Sequence, residues 1–86
     1  MYTVYILQST KTSKYYFGVT KDISKRLREH NGGLSKSTAP FRPYILRRTE
    51  TFDKITEAYA REKFLKSKKN KKIIKKIIES SPDVLA

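Results

Sequence analysis

Five side chains in this sequence carry the functional groups needed for proton transfer, anion binding and cation binding. They are Tyr5, Tyr16, Arg26, His30 and Glu62. A phenol or an imidazole can move a proton, a guanidinium can bind two anionic oxygens at once, and a carboxylate can hold a hard cation. Because these residues lie in three separate stretches of the chain, their joint use depends on the elements that carry them.

The two tyrosines lie in segments with the composition of β-strands. Residues 2–8 and 15–20 are rich in β-branched and aromatic residues and are joined by a polar turn, which predicts an antiparallel hairpin. Side-chain alternation then places Tyr5 and Tyr16 on one face, opposite Tyr15. Taken alone, aromatic residues at such positions are more typical of core packing than of catalysis.

The arginine and the histidine lie in a predicted helix over residues 23–30. An aspartate immediately before this segment is a good N-cap, and two glycines follow soon after it. Arg26 and His30 are four residues apart and share a face, which we predict to be distinct from the face of Ile23 and Leu27. The pair could serve one ligand, although a solvated helix face would have the same pattern.

The glutamate lies in a second predicted helix, which begins at Asp53 and ends near Ser67. A basic loop over residues 34–42 and a third predicted strand over residues 44–52 precede it. Glu62 falls in an apolar stripe of this helix, whose other members are Ile55, Ala58, Tyr59 and Leu65. Since burying an unpaired charge costs several kcal/mol, spacing alone favours a structural ion pair for Glu62 over a bound cation.

A third helix is predicted near the end of the chain, with isoleucines on one face and lysines on the other. The isoleucines are Ile73, Ile74, Ile77 and Ile78. The order of elements is therefore β-β-α-β-α-α, which predicts an α+β fold with a small three-stranded antiparallel sheet packed with helices. We expect one domain over residues 1–81 and a short tail over residues 82–86.

The composition points to a polyanionic partner. The 86 residues include 20 Lys and Arg against 8 Asp and Glu, for a formal net charge of +12. The same charge would also be expected of a protein that binds a membrane surface, or of a protein from an organism whose proteins are generally basic. The lack of cysteine excludes disulfides and thiol catalysis, and the lack of an apolar run of about 18 residues argues against a membrane span. We therefore expect a cytoplasmic protein that contacts no membrane.

The ordered motifs resemble those of the GIY-YIG endonuclease superfamily over nearly the whole chain. The first pair is Thr3-Val4-Tyr5 and Tyr16-Phe17-Gly18, followed by Thr20, Lys25-Arg26-Leu27, His30, Arg42-Pro43-Tyr44, Glu57-Ala58, Arg61-Glu62-Lys63 and Leu65-Lys66-Ser67. The likeness is greatest to the small single-domain branch, and the motifs are also similar to those of the catalytic domain of the excision-repair nuclease. Each tripeptide is a weak signal, whereas the ordered set is specific.

The resemblance implies an endonuclease that hydrolyses phosphodiester bonds in nucleic acid with Mg²⁺ or Mn²⁺; DNA is the expected substrate, with RNA left open, and DNA repair is the expected setting. It implies that Tyr16 is the general base, that Arg26 stabilises the phosphoryl transition state, and that Glu62 holds the metal. Tyr5 is the other motif tyrosine, with the role of orienting the water or sharing its proton. His30 would hold a phosphate oxygen or take part in proton transfer.

Basic residues near these motifs are expected to bind the nucleic acid. They are Lys21, Lys25, Arg28, Lys36, Arg42, Lys66 and Lys69. Thr3 and Phe17 depart from the motif letters without touching the tyrosines, but Val19 replaces a lysine that the excision-repair nuclease has there. Asn70 has no motif around it to give it a role. The alternative prediction is therefore a basic nucleic-acid-binding module of the same fold with weak or no catalysis.

Overall fold

The structure is a computed structural model that describes residues 1–33, 39–68 and 70–80. Its elements follow the predicted order of strands and helices. They are β1 (Tyr2–Ser9), β2 (Tyr15–Thr20), α1 (Ile23–Asn31), a short 3-10 helix (Ala39–Phe41), β3 (Tyr44–Phe52), α2 (Ile55–Ser67) and α3 (Lys71–Glu79). The predicted α+β fold is confirmed. The predicted tail over residues 82–86 lies outside the described residues, as do Lys36 and Lys69.

The three strands form one antiparallel sheet in the order β2-β1-β3. Because β1 is the central strand and is covered on both faces, four consecutive side chains from Val4 to Leu7 are buried. The pairing of β1 with β3 shifts register between Ile6 and Leu7, whereas its pairing with β2 is regular. Tyr5 is opposite Gly18 in that regular ladder, which matters for the site described below.

Helices cover the two faces of the sheet unequally. On one face α2 and α3 pack over a core made of Val4, Ile6, Ala58, Leu65 and Ile74. On the other face α1 packs over a smaller cluster made of Tyr5, Leu7 and Tyr44, with Tyr16, Ile23 and Leu27 against it. The predicted separation of the tyrosines is confirmed, since Tyr15 packs on the first core and Tyr16 on the second.

Side-chain caps begin two of the helices. The carboxylate of Asp22 accepts a hydrogen bond from the backbone N–H of Lys25 at 3.0 Å, as expected for the N-cap of α1. Asn70 does the same for α3, where its Oδ1 accepts from the N–H of Lys72 at 2.8 Å. This bond gives Asn70 a structural role, which the sequence left open.

Helix α2 departs from the prediction in two respects. It begins at Ile55 rather than at Asp53, and the residue before it, Lys54, makes no side-chain cap. The predicted apolar stripe is also wrong in part, because Ala58 and Leu65 are buried whereas Ile55 and Tyr59 are exposed. Ala58 and Leu65 are seven residues apart, so the line of α2 that faces the core is narrower than the predicted stripe.

An ion network joins β3 to α2 and α3. The carboxylate of Glu50 accepts hydrogen bonds from Arg48 and Arg61, each at 2.7 Å, and Arg48 also donates to the carbonyl of Ser80. Burial alone would raise the pKa of Glu50, but the bonds from Arg61 and Arg48 outweigh it and lower that pKa. Within the described residues, no helix is both long and apolar enough to span a bilayer.

Candidate active site

Tyr5 lies at the centre of the candidate site because the opposite strand leaves room for its ring. A Cβ atom placed on Gly18 would lie 2.9 Å from Cε2 of Tyr5 and closer still to its Cζ and hydroxyl. The ring therefore lies flat across Gly18, and its hydroxyl points toward β2, an outer strand of the sheet. Only glycine at position 18 permits this placement, which gives the motif glycine a physical purpose.

Gly18→Ala is expected to displace the Tyr5 ring and to lower the free energy of unfolding by about 1–3 kcal/mol, the usual effect of overpacking a buried contact. The ring cannot move freely, since Tyr5 is buried and hydrogen-bonded. Chemical denaturation measures the change, and Val19→Ala on the same strand is a control that removes volume rather than adding it. Gly18→Ala with unchanged stability and an unmoved Tyr5 would contradict this packing.

His30 is surrounded by tyrosine rings. Its Nε2 lies 3.2 Å from the Tyr5 hydroxyl, and its ring centroid is 4.9 Å from that of Tyr16 in an edge-on arrangement. The centroid of the Tyr44 ring lies 6.0 Å from that of the His30 ring. The imidazole is only 3% exposed. The predicted placement of His30 on a face distinct from Ile23 and Leu27 is therefore wrong, because seven residues span two helical turns and return it to the buried face.

Burial disfavours the charged form of both partners of the Tyr5–His30 hydrogen bond. It lowers the pKa of His30 from its usual value, with the charge of Arg26 acting in the same direction. Burial, together with the neighbouring Tyr16, raises the pKa of Tyr5 to about 12. Arg26 opposes that rise and Glu62 adds to it, so both charged groups act on the Tyr5 hydroxyl. Tyr16, Arg26 and Glu62 thus influence the Tyr5 hydroxyl electrostatically, and His30 is its hydrogen-bond partner.

The lowered pKa of His30 predicts a loss of stability on acidification. In the folded protein this imidazole resists a proton that it accepts readily after unfolding, so its contribution is complete above about pH 6.5 and falls as the pH drops below it. The slope of stability against pH returns to zero once the pH is below the lowered pKa, because the folded and unfolded states then both hold the proton. His30 is the single histidine of the chain, so its imidazole NMR signals report its pKa directly. A measured pKa above 6.5 would contradict the burial, and His30→Gln is expected to flatten the slope.

Arg26 lies at the edge of this cluster, beside a shallow basic cavity. The cavity has a volume of about 220 Å³ and is lined by Thr20, Lys21, Asp22, Lys25, Arg26 and Glu29. The guanidinium is 45% exposed and lies 3.7 Å from the carboxylate of Glu29. An exposed pair at that distance is weak, so an incoming anion can replace Glu29 as the partner of Arg26.

Glu62 lies on α2 with its side chain only 18% exposed, and its carboxylate is 3.3 Å from the ammonium of Lys66. The ion pair that spacing favoured is therefore present. No group of three or more His, Cys, Asp and Glu that could hold a metal occurs in the described part of the chain. A single carboxylate nevertheless suits Mg²⁺, which keeps several of its waters and takes substrate phosphate oxygens as ligands.

The predicted nucleic-acid-binding residues are spread over several surfaces. Lys21 and Lys25 line the basic cavity beside Arg26, whereas Lys66 pairs with Glu62. Arg28 and Arg42 are exposed and lie outside that cavity, and Arg42 donates to the carbonyl of Ala39. The structure therefore places three of these residues beside catalytic candidates, two beside Arg26 and one beside Glu62.

Comparison with known protein families identifies the family of this chain. The family profile described as the GIY-YIG catalytic domain matches residues 1–77. The chain belongs to the GIY-YIG family. A GIY-YIG domain implies nuclease activity on nucleic acid, which is consistent with the net charge of +12.

Two GIY-YIG relatives match much of the chain, and both are named as UPF0213 proteins. One, from Halobacterium salinarum, is 41% identical over 63 residues, which cover 72% of this chain and 80% of the relative. The other, from Staphylococcus saprophyticus, is 39% identical over 77 residues, or 88% and 93% of the two chains. No solved structure matches the chain.

The candidate site also includes residues that were not predicted from the sequence. Tyr44 was noted as part of a motif only, yet its ring closes the cluster around His30. Asn31, the last residue of α1, accepts from the Tyr44 N–H at 2.6 Å and donates to its carbonyl. An asparagine side chain can both donate and accept hydrogen bonds, so its place near the end of a helix is a signal for a link to the backbone of another element. The contact between Arg26 and Glu29 could have been predicted from their spacing of three residues in α1.

Proposed function

We propose that this chain is a metal-dependent endonuclease that hydrolyses phosphodiester bonds in DNA. The observation that carries the proposal is the ring cluster: the Tyr16 ring centroid lies 6.5 Å from that of Tyr5 and 4.9 Å from that of His30, and the Tyr5 hydroxyl is hydrogen-bonded to His30. The charges of Arg26 and Glu62, from different helices, also affect the pKa of Tyr5, in opposite directions. The basic cavity beside Arg26 gives a phosphate a place to bind.

Tyr16 is the proposed general base. It takes a proton from the attacking water as the water oxygen bonds to phosphorus, and the bond from phosphorus to the leaving oxygen breaks, with solvent protonating that oxygen. Tyr16 does so as a phenolate and becomes a neutral phenol on taking the proton. Tyr5 is almost never in its phenolate form near neutral pH because its pKa is raised to about 12, so it serves as a neutral hydrogen-bonding group that contacts His30.

Arg26 is the proposed stabiliser of charge on the phosphoryl oxygens. Its guanidinium can form two parallel hydrogen bonds to phosphate, and it leaves only a 3.7 Å contact to Glu29 to do so. Lys21 and Lys25 line the same cavity and contribute positive charge beside it. These three side chains would bind and orient the phosphate.

Glu62 is the proposed ligand of Mg²⁺ or Mn²⁺, together with waters and phosphate oxygens. It would exchange its ion pair with Lys66 for the cation, which releases Lys66 to contact substrate. The chemistry supplied by such a cation, when bound, is stabilisation of negative charge on the phosphate and on the leaving oxygen. The carboxylate is the residue type that this hard cation prefers.

The second candidate is a basic nucleic-acid-binding module without useful catalysis. Val19, and the absence of a multi-residue metal cluster among the described residues, favour it. End-labelled single-stranded, duplex and branched DNA and the matching RNAs, each incubated with Mg²⁺, Mn²⁺ or chelator, separate the two functions. The nuclease cuts at least one substrate only with metal, whereas binding without cleavage of any substrate supports the module and contradicts the proposal. Localisation in the cytoplasm and a repair role belong to the same proposal.

A further inference from the structure

A second and larger cavity lies on the face of the sheet that carries α2 and α3. Its volume is about 570 Å³, within the range of small-molecule sites in proteins. The residues that line it are Lys14, Tyr15, Phe17, Lys66, Lys68, Lys71 and Ile74. Tyr15 and Phe17 alternate with the catalytic candidate Tyr16, so this cavity and the site around Tyr5 lie on opposite faces of the sheet.

The lining has two chemically different parts. Tyr15, Phe17 and Ile74 are apolar or aromatic and pack against the larger core, yet both aromatic rings remain partly exposed. The remaining four are lysines from the β1–β2 turn, from the end of α2 and from the start of α3, and no carboxylate lies among them. An aromatic surface edged by ammonium groups complements a flat base with an attached phosphate.

We propose that this cavity binds one nucleotide unit, with its base against Tyr15 and Phe17 and its phosphate on the lysines. The nucleotide belongs to an unpaired strand of the substrate, because a paired base has no free face to stack on a protein ring. This inference deepens the proposed nuclease function and rests on it for the identity of the strand. The binding itself requires neither the metal nor catalysis.

Lys66 connects the cavity to the candidate active site. It lines the cavity and at the same time lies 3.3 Å from the carboxylate of Glu62, with its own side chain 57% exposed. A phosphate bound in the cavity can draw Lys66 away from Glu62, which frees that carboxylate for a cation. The cavity therefore favours substrates that carry a single-stranded segment next to the cleaved bond.

The proposal is tested by measuring the affinity of the protein for labelled single-stranded DNA and for a duplex of the same sequence. Fluorescence anisotropy gives both affinities, in buffer that contains a chelator. Tyr15→Leu, which keeps apolar packing but removes the aromatic face, is expected to weaken single-strand binding about tenfold or more and duplex binding less than about threefold. Equal affinities of Tyr15→Leu and wild type for the single strand would overturn the proposal.

Two double variants with the same net charge test the role of the cavity lysines. Lys68→Ala with Lys71→Ala removes two cavity lysines, whereas Lys54→Ala with Lys76→Ala removes two exposed lysines that do not line the cavity. Both variants have the same net charge, so a larger loss of single-strand affinity in the first supports the site. Equal losses in the two would mean that only overall charge matters, and would overturn it.

A measurement on the unaltered protein guards against variants that do not fold. Single-stranded DNA containing 5-iodouracil is crosslinked by light, and the attached residue is identified by mass spectrometry. Attachment to Tyr15 or Phe17, reduced by an excess of a free nucleoside monophosphate, supports the site and shows that free nucleotides share it. If the same residues are attached but the free nucleoside monophosphate does not compete, the site binds strands alone. Attachment only to residues outside the cavity would overturn the proposal. Loss of cleavage in Glu62 variants is irrelevant to each outcome.

Discussion

Glu62→Gln is expected to lower the single-turnover rate of DNA cleavage by about a thousandfold or more, because several kcal/mol of transition-state stabilisation is lost with the metal. The glutamine has nearly the same size and can still accept a hydrogen bond from Lys66, so the partly buried position 62 stays filled. Affinity for DNA in chelator is expected to change less than about threefold, since the net charge becomes more positive by one. Parallel cleavage and binding assays measure this separation.

Glu57→Gln is the matched control for this change. Glu57 lies in the first turn of the same helix and is exposed, so its replacement makes the same change in charge far from Tyr5. Its cleavage rate is expected to stay near that of wild type. If Glu62→Gln cleaves as fast as Glu57→Gln, then Glu62 does not hold a catalytic metal and the second candidate function becomes the better account.

Arg26→Lys is expected to reduce the cleavage rate by about a hundredfold, although the positive charge is kept. A lysine cannot form the two parallel hydrogen bonds that a guanidinium makes to phosphate, and losing one such donor in an active site has an effect of that order. Binding is expected to change little, because Arg26 is one of 20 Lys and Arg residues. Single-turnover rates measured with saturating protein separate the two effects.

Arg47→Lys serves as the control for Arg26→Lys, since Arg47 is exposed on β3 and away from the basic cavity. Equal rates for the two variants would show that any cation suffices at position 26. The role assigned to the guanidinium fork would then be wrong, while the role of Glu62 would be untouched.

The elements were predictable because each has a local cause. Alternation of β-branched and aromatic residues gave all three strands, with two bounded as observed and the first one residue short. Asp22 correctly predicted the start of α1, and the glycines after the helix predicted its end to within one residue. The same alternation separated Tyr16 from Tyr15, and this separation holds between the two cores. Local rules therefore predicted the hairpin on which the site depends.

Contacts between distant elements were not predictable by such rules. Nothing near Gly18 in the sequence indicates that the Tyr5 ring crosses it, because that contact depends on the register of β1 and β2. The enclosure of His30 by rings from three strands depends in the same way on the sheet, although its spacing of seven residues from Ile23 already indicates the buried face of α1. The exposure of Tyr59 depends on which line of α2 faces the core. Each of these features needs tertiary packing, which residue spacing does not contain.

If Tyr16, Arg26 and Glu62 form one metal-dependent active site, DNA already bound to the protein is cut only after metal is added. Wild type and Glu62→Gln are each saturated with end-labelled DNA in buffer containing a chelator, and excess Mg²⁺ is then added while product is followed over time. No product is expected before the addition; after it, wild type is expected to cleave rapidly and the variant only at the background rate. Product formed in chelator, or equal rates for the two proteins after Mg²⁺, would contradict such a site.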